Sequence, residues 1–215
     1  MNLKKIKCVI LDFDGTLYSN GDWSGEVKFF GQYLMDNNIL PEYKTLDEKV
    51  AYLKGQYPNY HIIQYIFAYL HDNNIDDSDF RKFNDENVCE IRGNDIKFID
   101  PKVISELAKY YEIYMISDSS RAYLDFYLDY AKIKESDFVE ILSNEYNDDH
   151  YTKIPMMKKV LEKTGLKPSE IIMIGDSERS DIIPAKLVGL QTFKVDGEED
   201  TTKILSELIA LKCKV

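Results

Sequence analysis

The segment KCVILDFDGT, Lys7 to Thr16, constrains the fold more than any other part of the chain. From Lys7 to Asp12 it reads as a strand with apolar side chains on both faces. Such a strand belongs in the middle of a sheet covered on both sides. It ends in two carboxylates, Asp12 and Asp14, with Gly15 directly after them. Burying these charges is costly unless a metal, a cation or a ligand compensates them. The end of this strand is therefore the first place to look for a function.

From Asp100 onward the pattern alternates between strands and helices. DPKVISELAKY opens with an N-capping Asp and a proline at the first helical position. A strand is expected at Tyr111 to Ser117, then a helix to about Ala131 and a short strand in DFVEIL. TKIPMMKKVLEKTGLKP reads as a helix closed by Gly165. EIIMIGD is a buried strand, SERSDIIPAKLVG a helix that Pro184 kinks or divides, LQTFKV a strand, and Thr202 to Lys212 the last helix. This spacing implies βαβ crossovers, hence a doubly wound α/β fold with a parallel sheet. Ligands of such sheets sit at the carboxyl ends of the strands. Asp12, Ser117 and Asp176 all stand at such ends.

Between Tyr18 and Phe98 no strand is evident and the apolar spacing is helical. Val27, Phe30, Leu34 and Met35 mark one helix, Leu46 to Leu53 a weaker one, Asn59 to Asn73 a strong one and Ser78 to Cys89 a fourth. The expected organisation is a core of residues 1–18 and 99–215 interrupted by an all-helical insertion, 19–98.

Composition narrows the partners. Of 215 residues, 44% are hydrophobic and 30% charged, as in a globular protein, and the net charge is −11. That balance argues against nucleic acid or an anionic membrane as the main partner, because both require a basic face. Cys8, Cys89 and Cys213 are three in number and widely separated. They read as reduced thiols of a cytoplasmic protein. The apolar run near the start is too short for a signal peptide. His61, His71 and His150 lack metal-ligand spacing. DNNIDDSD, Asp72 to Asp79, scatters acids without the glycine and terminal glutamate of a calcium loop, and reads as a turn.

Four segments meet at the expected sheet edge: DFDGT (Asp12 to Thr16), MISDSS (Met115 to Ser120), YTKIP (Tyr151 to Pro155) and GDSERSD (Gly175 to Asp181). In this order, each after the expected element, they resemble the four motifs of the haloacid dehalogenase superfamily. The resemblance implies a Rossmann-like core with an inserted helical cap, and hydrolysis of a small phosphate monoester with Mg²⁺. Asp12 would be the nucleophile that forms an aspartyl-phosphate, and Asp14 the acid and base. Gly15, Thr16, Ser117, Asp118 and Lys153 would bind the phosphate. Asp12, Asp14 (by its carbonyl) and Asp176 would hold the metal, with Asp181 supporting the metal or the lysine. Asp118 stands where the family often has Asn. The lysine segment departs from the common Lys-Pro-x-Pro form, which leaves Lys158 and Lys159 as rivals of Lys153.

The substrate expected from this resemblance is a free metabolite, a sugar phosphate or a nucleotide. A cap closing over the strand ends would exclude water and admit only a small leaving group. Most aromatic residues of the insertion are expected to pack its core, with one or two, Trp23 among the candidates, facing substrate. A phosphomutase of the β-phosphoglucomutase type shares every core residue. A dehalogenase would not need Asp14, and a non-catalytic binding protein would be expected to lose Asp12 or Asp14 first.

Overall fold

The computed structural model describes residues 3–19, 24–58, 62–88, 96–143 and 152–213. Trp23, His61, Cys89 and His150 lie outside them. The strands are β1 (Cys8–Leu11), β2 (Tyr18–Ser19), β3 (Lys97–Phe98), β4 (Glu112–Ile116), β5 (Glu140–Leu142), β6 (Ile171–Gly175) and β7 (Gln191–Lys194). Five of them form one parallel sheet in the order β5-β4-β1-β6-β7. The chain winds from β1 outward to β5, then crosses back to β6 and winds out to β7. The direction of winding thus reverses beside β1, where such sheets place their ligands.

The apolar run of β1 is central because it has partners on both edges, with Ile10 paired to Tyr114 on one side and Met173 on the other. Its side chains alternate between faces. Cys8 and Ile10 join Tyr114, Met173, Met156 and Val160 in one buried cluster. Val9 and Leu11, on the opposite face, are equally buried. Two hydrogen bonds extend the pairing past the strand ends, from Asp12 N–H to Ile174 O (3.0 Å) and from Ser117 N–H to Leu142 O (2.9 Å). They fix the backbone where the candidate site residues begin.

The helices are α1 (Ser24–Asp36), α2 (Leu46–Gln56), α3 (Ile62–Asp72), α4 (Ser78–Glu86), α5 (Pro101–Leu107), α6 (Arg121–Ala131), α7 (Ile154–Thr164), α8 (Ile183–Val188) and α9 (Glu198–Cys213). Asp100 caps α5 by accepting from Lys102 N–H, and Gly165 ends α7 in the left-handed conformation. The segment expected as a helix divided by Pro184 is a π-helical turn, Glu178–Ile182, followed by α8. The proline sits in the first turn of α8, where its missing N–H costs nothing. Helix α9 starts four residues earlier than expected. Glu198, Glu199 and Asp200 form its first turn, and their charges suit a helix N-terminus.

The chain divides into two compact units, residues 1–19 with 97–215, and residues 20–96. Among its described residues the second unit contains α1–α4 and no strand. Phe30, Leu34, Leu53, Ile66, Leu70 and Phe80 build its core, while Met35, expected on the same face, is 37% exposed. A capping box of Thr45 and Glu48 starts α2. Buried Lys49 donates to the carbonyls of Ile39 and Leu40, which ties down the loop before that helix. In the acidic stretch, Asp76 accepts from Ser78 and Asp77 pairs with Arg81, so these carboxylates complete a turn. Where the chain leaves and re-enters the first unit, β2 and β3 form a two-residue antiparallel ribbon. The sequence did not reveal this ribbon, because alternation has no meaning over two residues. Among the described residues no helix is long and apolar enough to cross a membrane.

Candidate active site

Asp12, at the carboxyl end of β1, is 3% exposed. The Lys153 ammonium donates to its Oδ1 at 2.5 Å and the Thr16 hydroxyl to its Oδ2 at 3.2 Å. Lys153 arrives at the start of α7 and also donates to Asp181 Oδ1 at 2.7 Å. Of its rivals, Lys158 is exposed and Lys159 pairs with Glu140 at 3.0 Å. The other oxygen of Asp181, Oδ2, accepts from Ser177 N–H at 2.9 Å. This carboxylate therefore braces the lysine and the β6 loop together.

Asp14 lies past Phe13, where a tight turn carries Thr16 N–H and Leu17 N–H back to Phe13 O. Gly15 makes the turn possible in two ways. Its φ is +69°, a left-handed conformation that glycine adopts without strain. The Asp176 carboxylate also lies so close that a Cβ on Gly15 would come within 2.6 Å of its Oδ2. Gly15→Ala is expected to push Asp176 out of place while the protein still folds and, if Asp176 holds Mg²⁺ as the resemblance implies, to weaken Mg²⁺ affinity at least tenfold. Calorimetric titration with Mg²⁺ checks this, and wild-type affinity in the variant would contradict it.

The Asp14 carboxyl faces hydroxyls on both oxygens. Tyr18 donates to Oδ1 at 2.6 Å, and Ser119 and Ser117 to Oδ2 at 2.7 and 3.3 Å. Ser117, expected to donate to phosphate, is fully buried here and also accepts from Ser119 N–H at 3.0 Å. Asp118 Oδ2 is 4.0 Å from Lys153 Nζ, and its Oδ1 is buried without a hydrogen-bond partner. Sequence reading missed Tyr18, Ser119 and Tyr123, whose hydroxyl lies 2.5 Å from that of Tyr18. Ser119 could have been found, since MISDSS offers three hydroxyl or carboxyl groups after Ser117. Nothing in the sequence singles out the tyrosines among sixteen.

A family model for haloacid dehalogenase-like hydrolases matches residues 6–189. The chain belongs to this family. It is 25% identical over 202 residues to a protein of Bacillus cereus (strain AH820) named pyrophosphatase PpaX, covering 89% of this chain and 83% of that one. Its fold is similar to that of a HAD family enzyme of Bacteroides thetaiotaomicron solved with magnesium and inorganic phosphate. That similarity has a TM-score of 0.57 at 18% identity and covers 93% of this chain and 98% of the other. A predicted phosphoglycolate phosphatase of Haemophilus somnus has the same fold at a TM-score of 0.60 and 17% identity, over 94% and 98% of the two chains.

The charge balance at the site of this hydrolase is lopsided. Carboxylate oxygens of Asp12, Asp176 and Asp181 lie within 4.8 Å of one another, and Lys153 is the one cation that contacts Asp12 and Asp181 in the described structure. Burial pushes the Asp12 carboxyl well above the usual range, and Asp181, Asp176 and Asp14 add to the shift while Lys153 opposes it. Burial and Asp181 likewise raise Asp176 to about 6. Burial works against the Lys153 charge, but Asp12, Asp181 and Asp118 outweigh it, so the ammonium stays protonated. Burial, with Asp14 and Tyr123 beside it, raises the Tyr18 phenol well above its ordinary value. Such an excess of hard carboxylate oxygens fits a divalent cation such as Mg²⁺. Asp12 and Asp181 each already accept on both oxygens, so hydrogen bonding by itself does not rank these carboxylates as metal donors.

Proposed function

We propose that this hydrolase cleaves a small phosphate monoester with Mg²⁺, by way of phosphorylated Asp12. The observation that carries the reading is the contrast between two carboxylates two residues apart. Asp12 is buried against an ammonium, as a nucleophile must be if its charge is to survive beside a phosphate. Asp14 sits among hydroxyls, surroundings that suit a group which gives and takes a proton. All of these groups belong to the first unit.

In this reading a carboxylate oxygen of Asp12 attacks phosphorus. The P–O bond to the leaving alcohol breaks as the bond to Asp12 forms, and Asp14 gives its proton to the departing oxygen. Asp14 then takes a proton from water, which attacks phosphorus, releases phosphate and restores Asp12. Lys153 orients Asp12 and offers charge to the equatorial oxygens, with Asp181 fixing the lysine. Gly15, Thr16, Ser117 and Asp118 line the same strand ends as phosphate-binding candidates. Mg²⁺, held by the side chains of Asp12 and Asp176 and the carbonyl of Asp14, would supply further neutralisation of the nucleophile and phosphate charges.

The substrate is read as a free metabolite, since a net charge of −11 disfavours long polyanions. The helical unit, 20–96, is read as the cap that selects it. Free thiols at Cys8 and Cys213 support a cytoplasmic setting. The test is a phosphate-release screen with Mg²⁺, with EDTA and with Ca²⁺. The relatives' names put inorganic pyrophosphate and phosphoglycolate on the panel beside sugar phosphates, nucleoside monophosphates, a phosphopeptide and a 5′-phosphorylated oligonucleotide. Turnover of a small compound is expected with Mg²⁺ only. Ca²⁺ is expected to bind without supporting it, because its larger, looser shell misaligns the reactants. Full activity in EDTA, or preference for either large substrate, would overturn the corresponding part of the reading.

A further inference from the structure

We propose that Tyr18 and Tyr123 form a positioning relay for Asp14, orienting its carboxyl group for both proton transfers; this rests on the phosphatase reading above. The Tyr18 hydroxyl touches both Asp14 Oδ1, at 2.6 Å, and the Tyr123 hydroxyl, at 2.5 Å. A phenol both donates and accepts. With Asp14 ionised, Tyr123 donates to Tyr18 and Tyr18 to Oδ1. With the exchangeable proton on Oδ2, Tyr18 still donates to Oδ1 and fixes the rotation of the carboxyl group. The carboxyl is thus held in both forms the reaction passes through, and each tyrosine keeps one proton throughout. No covalent bond to either phenol oxygen forms except as its own O–H.

The framework around the relay is closely packed. Tyr18 is 1% exposed, and its ring lies nearly parallel to that of Tyr127, with centroids 5.8 Å apart and planes 6° apart. Phe13 and Phe98 flank it, each at 5.2 Å. Tyr123 stands in the first turn of α6, where its N–H donates to the capping hydroxyl of Ser120. Ser119, one residue before that cap, holds the other oxygen of Asp14 at 2.7 Å. One helix start therefore governs both sides of the carboxyl group. A purely structural reading is that two buried hydroxyls have found partners, as buried hydroxyls must. That reading predicts a loss of stability and no selective effect on proton transfer.

The experiment compares Tyr18→Phe, Tyr123→Phe and the double variant with the wild type on p-nitrophenyl phosphate in Mg²⁺. Phenylalanine keeps the ring packing and removes only the hydroxyl. The nitrophenolate leaves without needing a proton, so Asp14 is required there only to activate water. Tyr18→Phe is expected to lower kcat roughly ten- to a hundredfold, the scale of a hydrogen bond to a charged group, with KM falling alongside it and kcat/KM within about twofold, because only the hydrolysis of phosphorylated Asp12 is slowed. It should show a burst of nitrophenol as phosphorylated Asp12 accumulates. Tyr123→Phe is expected to cost less, and nothing further in the Tyr18→Phe background, because it acts through Tyr18. An active wild type and an inactive Asp12→Asn variant, with Tyr18→Phe unimpaired or with additive penalties, overturn the relay alone. A wild type inert toward every phosphate ester, or an active Asp12→Asn variant, overturns the phosphatase reading and the relay with it.

Discussion

Asp12→Asn is expected to lower turnover by roughly 10⁴-fold or more, the scale seen when a covalent nucleophile is removed. The change is nearly isosteric. The remaining carbonyl oxygen can still accept from Lys153 or Thr16, and Lys153 keeps its bond to Asp181. The variant should melt no lower than the wild type in metal-free buffer. Asp12 is buried and repelled by Asp181, Asp176 and Asp14, so removing its charge relieves a cost that, in the proposed mechanism, is carried for the sake of reactivity. Steady-state hydrolysis and a thermal melt, with mass spectrometry to exclude deamidation, check both halves. Near-wild-type hydrolysis would end the covalent mechanism.

The second large effect is expected at Lys153. Its side chain is 3% exposed and joins the carboxylates of Asp12 and Asp181, themselves 4% and 0% exposed. Lys153→Met keeps most of the volume and leaves two buried charges without their cation. Breaking a buried pair in this way costs about 3–5 kcal/mol. If Lys153 lies beside the reacting phosphate as proposed, its loss is expected to lower kcat by roughly 10²–10³-fold. Adding Asp181→Asn should recover part of the stability, because one stranded charge is gone, but none of the turnover. Denaturant unfolding and kcat measured on both variants check this. If the double variant regains activity together with stability, Lys153 serves the fold rather than the chemistry.

Residues whose role follows from their place on a strand could be found in the sequence. Asp12 and Asp176 stand directly after runs that are apolar on both faces, and the alternation after Asp100 determines which ends those runs share. Lys153 stands out from Lys158 and Lys159 in the sequence only by preceding the helix that holds them, and in space it is buried against Asp12 and Asp181. Tyr18 and Tyr123 are 105 positions apart and meet only after β1 and α6 are in place, so no local spacing could announce them. The π-helical turn at Glu178–Ile182 was hidden for a different reason. Its sequence is ordinary for a helix, and its shape follows from Asp181 reaching back to Ser177 and Lys153.

The ribbon of β2 and β3 has a consequence for how such a protein changes over time. Tyr18 faces Phe98 and Ser19 faces Lys97, so the chain departs and returns at neighbouring points. The five-stranded sheet is built entirely from residues outside that interval. Whatever lies between Ser19 and Lys97 can lengthen, shorten or be exchanged without altering the register of any sheet strand. Lengthening a segment whose ends are already joined adds little entropic cost, since that cost grows only with the logarithm of its length. The ribbon works as a splice point, at which a single contiguous piece of chain can be traded while the five-stranded sheet stays as it is.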